Sequence, residues 1–134
     1  MNNKWKIILG IAVCIFAIFM FATATQEPNT DTGGHDMYRN RRITAAQARD
    51  MIARYPSAII LDVRNEWEFA AGHIPGAILL PDYDIKDKVT YILQDLYALI
   101  LVYCQRGNRS RSATNLLVSM GYVNVYDFGG IVDW

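Results

Sequence analysis

The sequence predicts an α/β fold in which a central, mainly parallel sheet carries helices on both faces. Short apolar runs of strand character alternate with segments of helical period, and proline, glycine or aspartate bounds each of them. Strands separated by helices imply βαβ units, which bury a parallel sheet from both sides. Length sets the scale: 134 residues suffice for one domain and not for two ordinary ones.

The elements follow in order. Thr44 and Gln47 form a capping box that opens a helix to about residue 55, with Ala46, Met51 and Ile52 as inward positions and Pro56 as the stop. Residues 57–62 hold the apolar run of a buried strand. Residues 66–71 make a short helix ended by Gly72, and 77–80 a second strand set between Pro75-Gly76 and Pro81. Asp84 is expected to cap an amphipathic helix to about residue 97, carrying Ile85, Val89, Ile92, Leu93 and Leu96. Residues 99–103 are the most strand-like of all. A loop over 104–109 leads to a helix over 110–120 with Gly121 at its C-terminal cap, and 123–126 form a last strand.

Ahead of this domain lies a different composition. Lys4 and Lys6 precede an uncharged apolar run from residue 7 to 25, the pattern of a basic n-region and an apolar h-region. Residues 1–25 are therefore expected to be a signal peptide, cleaved after Ala22-Thr23-Ala24, or an N-terminal membrane anchor. Both outcomes place the following part outside the cytoplasm, since no basic residue comes after the run until Arg39. Cys14 lies mid-run behind Val13, a poor lipoprotein site. Residues 26–40, with Pro28, Gly33 and Gly34, read as a flexible stalk, and 41–134 as the folded domain.

Composition excludes several classes. A hydrophobic share of 52% with 19% charged residues argues against disorder. Thirteen basic residues balance thirteen acidic ones without a block of either sign, so no nucleic-acid partner is expected. Cys14, Cys104, His35 and His73 cannot build a four-ligand zinc site or a disulfide framework, so no metal is expected.

The chemistry concentrates after the strand over 99–103. Cys104 sits at its carboxyl end, where parallel sheets place ligands, and Gln105-Arg106-Gly107-Asn108-Arg109-Ser110 leads into a helix. Unpaired N–H groups at the helix start, a glycine that lets the loop curl, and the cations Arg106 and Arg109 all favour thiolate over thiol. A buried inert cysteine is the bland alternative, and the polar flanks argue against it.

Four motifs in this order resemble a single-domain rhodanese: Leu61-Asp62-Val63-Arg64-Asn65-Glu66-Trp67-Glu68-Phe69, Gly72-His73-Ile74-Pro75-Gly76-Ala77, Cys104 to Ser110, and Gly129-Gly130-Ile131 with Trp134. The resemblance covers residues 43–134; family members usually run several residues past the tryptophan, so the chain is expected to be truncated or unusually short. It implies the rhodanese-like fold and sulfur transfer by double displacement, with Cys104 as nucleophile and Gln105, Arg106, Gly107, Asn108, Arg109 and Ser110 binding the substrate. Its donor would be a small sulfane sulfur compound such as thiosulfate, which Arg106 favours over mercaptopyruvate, its acceptor a thiol or cyanide. No metal or organic cofactor is implied. A non-catalytic persulfide carrier or sulfur-binding module, working with a redox protein partner, is the alternative. A phosphatase or arsenate reductase fits less well, because Arg109 follows the cysteine after four residues rather than five.

Asp62 and Arg64 are expected to support the loop rather than react, with Asp62 on loop amides and Arg64 paired with Glu68 at helical spacing. His73 is expected to be a scaffold residue, and Trp67 and Trp134 core or rim. Cys104 would be the lone cysteine of the domain, which is expected to be a monomer when reduced and to form a Cys104-linked dimer or adduct when oxidised.

Overall fold

The computed structural model describes residues 41–134. In chain order the elements are α1 (Ala45–Arg54), β1 (Ile59–Asp62), α2 (Glu66–Ala71), β2 (Ile78–Leu79), α3 (Ile85–Ile92), β3 (Leu99–Cys104), α4 (Asn108–Ser119) and β4 (Asn124–Gly130). Turns of 3-10 helix lie at Asp82–Asp84 and Ile131–Asp133. All strands pair in parallel in the order β2-β1-β3-β4, the α/β arrangement the sequence predicts. The chain leaves β1 towards β2 on one side and returns to lay β3 on the other. Such a reversal opens a crevice beyond the carboxyl ends of the two diverging strands, here β1 and β3.

Alternation along β3 assigns its side chains to two layers. Ile100, Val102 and Cys104 join a cluster with Ile85, Val89, Ala113 and Leu117 from α3 and α4. Leu101 and Tyr103 join a second cluster with Ala48 of α1, Ile74 and Phe128. From Ile100 onward every β3 residue is at most 1% exposed, which is what a continuous apolar run requires. Burying each such aliphatic side chain stabilises the fold by about 1.5–3 kcal/mol.

The helix ends show where local chemistry prevails. The capping box at Thr44 is present: its hydroxyl accepts from the Gln47 amide at 3.1 Å, and Gln47 Oε1 accepts from the Thr44 amide at 2.8 Å. The inward face of α1 differs from expectation, because Ala45 and Ala48 are buried and Ala46 is exposed. Positions 45, 48 and 52 share one stripe at helical spacing, and 46 lies about a third of a turn away from it.

α3 stops at Ile92 and not near 97, and Asp84 makes no capping bond; its carboxylate holds Lys88 at 2.6 Å instead. Asp95 ends the helical run by accepting the Tyr97 amide at 2.8 Å, a local turn that competes with helix. The Tyr122 hydroxyl donates to the Leu93 carbonyl at 2.6 Å and satisfies the helix end. Leu93 is buried, whereas Ile92 and Leu96 are exposed. At the end of α4 the Gly121 amide reaches the Val118 carbonyl and the Tyr122 amide the Leu117 carbonyl, with Gly121 at φ 100. This is the Schellman closure that the glycine predicted.

β4 runs to Gly130, four residues beyond expectation, because it carries a bulge: Val102 faces Asp127 and Tyr103 faces Gly129, with Phe128 unmatched between them. Residues 41–43 lie alongside its outer edge, where the Asp127 amide donates to the Arg41 carbonyl at 2.8 Å and the Ile43 amide to the Asp127 carbonyl at 2.9 Å. The edge is thereby partly covered. The expected leader over 1–25 and stalk over 26–40, with Cys14 and His35, lie outside the described residues. Among the described residues no helix is long and apolar enough to cross a membrane.

Candidate active site

β3 delivers Cys104 to the crevice, and only residues 105–107 separate it from α4. The connection is shorter than the sequence suggested, so Asn108, Arg109 and Ser110 form the first helical turn. Gly107 makes this possible by taking φ 96, a left-handed conformation that side chains resist. The chain then turns directly into the helix, and the unpaired amides of its first turn face back to the sulfur. Gly107 N–H donates to Cys104 Sγ at 3.0 Å, and amides of Arg106 and Ser110 add to it. The thiol donates to Ser110 Oγ at 3.7 Å.

Burial pushes the Cys104 thiol up, but hydrogen bonds from the Ser110 amide and hydroxyl and from the Gly107 and Arg106 amides outweigh it, so Cys104 ionises below its ordinary value. Amide and hydroxyl dipoles lead at the sulfur, and of the two expected cations only Arg109 is felt by Cys104, through space. Arg106 is exposed, and Arg109 is held in a bidentate pair by Glu68, with both bonds at 2.7 Å. Cys104 itself is 1% exposed, which corrects the expectation of an open thiol. It forms the floor of the loop, so a bulky partner such as a second Cys104 does not reach it in this conformation.

The loop rests on β4. A Cβ at Gly130 would stand 2.5 Å from the Gln105 carbonyl oxygen and 2.8 Å from Arg106 Cα, both backbone atoms. Only glycine lets the strand support the curled loop at that distance. Sequence reading placed Gly129-Gly130 in a motif without giving it this task; a glycine pair at the carboxyl end of a strand was the available signal.

Asp62 and Arg64 come together under the loop, at the end of β1. The Asp62 carboxylate accepts from Arg64 Nε at 3.0 Å, from Nη2 at 2.7 Å and from the Arg64 amide at 2.9 Å. Arg64 also donates to Gln105 Oε1 at 3.2 Å and to the Gly72 carbonyl at 2.7 Å. Two expectations are corrected here. Arg64 does not pair with Glu68, because Asn65 caps α2 and leaves Arg64 outside the helix where that spacing has no meaning. Asp62 serves Arg64 rather than the loop amides, and Arg64 carries the support on to Gln105. The Asp62 carboxylate holds the Arg64 guanidinium above its ordinary pKa.

A cleft of about 650 Å³ opens beside the loop, lined among others by Arg64, Trp67, Gly72, His73, Gln105 and Ile131. Trp67 forms its rim at 71% exposure. His73 stacks on Phe69 at 3.7 Å and donates from Nδ1 to the Phe69 carbonyl at 3.0 Å, a scaffold arrangement at the cleft wall. Trp134 packs on Phe128, with Arg49 over its ring at 5.0 Å. Asn108 is exposed. Sequence reading gave no task to Glu68, which ties α2 to α4 through Arg109, nor to Asp127, whose Oδ1 accepts the Ser110 hydroxyl at 2.7 Å.

Comparison with known proteins agrees with this geometry. The rhodanese-like domain family matches residues 44–134. The thiosulfate sulfurtransferase GlpE of Pseudomonas entomophila is 39% identical over 90 residues, covering 67% of this chain and 79% of that protein. Among solved structures, a rhodanese-related protein from Thermoplasma volcanium is 34% identical with a TM-score of 0.61, covering 70% of this chain and 89% of that one. A rhodanese with anions from E. coli is 31% identical with a TM-score of 0.55, over 57% of this chain and 91% of that one. The chain belongs to the rhodanese-like domain family.

Two outcomes follow from the geometry. Gly130→Ala should slow alkylation of Cys104 by roughly tenfold or more while circular dichroism stays native, since small displacements of a positioned group carry large rate costs; an unchanged rate would show that the loop does not stand on Gly130. Arg109 holds the Glu68 carboxyl at about 2, below its ordinary 4.5, so the pair's stabilisation is complete above 4.5 and lost as pH falls towards 2. The stability gap between the parent and Glu68→Gln, read from urea midpoints, should close across that window, and a constant gap would exclude the ion pair as its source.

Proposed function

We propose that this chain is a rhodanese-type sulfurtransferase in which Cys104 carries a sulfane sulfur from a small anionic donor such as thiosulfate to a cyanide or thiol acceptor. The observation that carries this reading is the ring of amides on the Cys104 sulfur, which suits a thiolate and the persulfide anion that follows it. The thiolate attacks the outer sulfur of thiosulfate, the sulfur–sulfur bond breaks, and its electron pair leaves with sulfite. Cyanide then takes the outer sulfur of the persulfide as thiocyanate and returns the thiolate. The relative named for thiosulfate supports the choice of donor, and the rhodanese solved with anions supports an anionic ligand. A phosphatase is disfavoured because Arg109 follows Cys104 after four residues rather than five. A carrier without turnover is disfavoured by the sulfurtransferase relatives.

Gln105, Arg106, Gly107, Asn108, Arg109 and Ser110 are proposed to receive the donor, with Asp62 and Arg64 holding the loop from below. What supports a location outside the cytoplasm is the sequence alone, Lys4 and Lys6 ahead of the apolar run.

With thiosulfate and cyanide the protein should release thiocyanate, and Cys104→Ser should lose about 99% of that rate or more, roughly two orders of magnitude, as expected for a nucleophile that forms the covalent intermediate. Equal rates for the two proteins would end the proposal. Expressed in a bacterium, the full chain should sediment with membranes or appear outside the cytoplasm cleaved after Ala24; intact, soluble protein in the cytoplasm would refute the leader.

A further inference from the structure

Behind the sulfur lies a chain of polar contacts that begins outside the span matched by the family. Arg42 Nη1 donates to Asp127 Oδ2 at 2.7 Å. Asp127 Oδ1 accepts the Ser110 hydroxyl at 2.7 Å and the Gly129 amide at 2.9 Å. The Ser110 hydroxyl in turn stands 3.7 Å from Cys104 Sγ. Asp127 and Ser110 are buried at 3% and 0% exposure, and Arg42, its side chain 45% exposed, reaches Asp127 from the solvent side. The Arg42 guanidinium also packs on the two glycines that flank the loop, where a Cβ would lie 3.2 Å from it at Gly107 and 2.9 Å at Gly129.

Ser110 has one hydroxyl proton and three acceptors within reach: Asp127 Oδ1 at 2.7 Å, the Gly129 carbonyl at 3.2 Å and, once Cys104 has ionised, the sulfur at 3.7 Å. While Cys104 is a thiol, it donates to Ser110 Oγ, and the serine donates on to Asp127. Once the thiol proton has left to solvent, the sulfur needs donors, and the Ser110 O–H can rotate from Asp127 to the sulfur without moving a heavy atom. Asp127 tolerates the loss only because the Gly129 amide and Arg42 still serve its two oxygens. An unpartnered buried carboxylate would keep the hydroxyl for itself.

We propose that Arg42 is a positioning residue of the sulfurtransferase site: by neutralising Asp127 it releases the Ser110 hydroxyl to the Cys104 anion. The other charged groups around the sulfur are already committed or remote. Glu68 and Arg109 pair on the α2 and α4 side, Asp62 and Arg64 pair under the loop, Arg106 is exposed on it, and the Asp133 carboxylate stands at Gly129 beside Arg42. Asp127 with Arg42 is therefore the pair whose partner exchange reaches the sulfur through a hydroxyl.

The inference rests on Cys104 being the sulfur carrier, and alkylation of the Cys104 peptide, scored by mass across pH, tests it independently of sulfur transfer. In the full chain, Arg42→Gln should raise the pH of half-maximal alkylation by roughly half a unit to one unit, and Arg42→Lys should restore most of the shift. Asp127→Asn should lower the midpoint, whereas a general loosening of the loop would move both variants the same way. In a Ser110→Ala background the Arg42→Gln shift should shrink by half or more. An unmoved midpoint in Arg42→Gln, or equal shifts with and without the serine hydroxyl, overturns the proposal. Should Asp127→Asn fail to fold, the Arg42 and Ser110 variants still decide.

Discussion

The site depends on a close approach of two backbones. Gly130 at the end of β4 meets residues 105 and 106 at distances that leave no room for a side chain, and the loop can curl only because it lies on that bare strand. Convergence of the amides on Cys104 follows from the curl, and the lowered proton affinity of the sulfur follows from the amides. Gly107 supplies the second half of the constraint, since its left-handed backbone lets α4 begin at the next residue.

Charge around the sulfur is arranged in closed pairs. Asp62 with Arg64, Glu68 with Arg109 and Asp127 with Arg42 each satisfy one another, and among them the sulfur meets oriented dipoles instead of bare cations. Dipoles fixed by the fold need no reorganisation when negative charge develops, and the buried Asp62–Arg64 pair is little screened by salt. The pairs also tie elements together: α2 to α4, the end of β1 to the loop, and the first described residues to β4. The same contacts thus stabilise the fold and hold the surroundings of Cys104 in place.

Much of this was legible in the sequence. Alternating apolar runs gave the parallel sheet, the Thr44–Gln47 box and Gly72 marked helix ends, and Cys104 with its polar, glycine-bearing flank marked the reactive loop. What stayed hidden depended on contacts between distant segments. That Glu68 would take Arg109, and Arg64 would take Asp62, is settled by where α2 begins and not by spacing along the chain. Arg42 and Asp127 are 85 positions apart, and their pairing exists only because residues 41–43 lie against the bulged edge of β4. The early end of α3 likewise reflects one aspartate turning the backbone, a local competition that apolar periodicity does not record.

The Cys104 sulfur sits on the last residue of β3, the strand paired on both sides and buried on both faces. Such a strand belongs to the part of a protein that opens only when the whole structure unfolds, so its amides should be among the slowest to exchange with solvent. Chemistry here is mounted on the least mobile element, and the neighbouring cleft, rimmed by Trp67, lies on a short exposed helix. Variation in what the cleft admits therefore falls to that rim, and the Cys104 sulfur beneath it stays fixed.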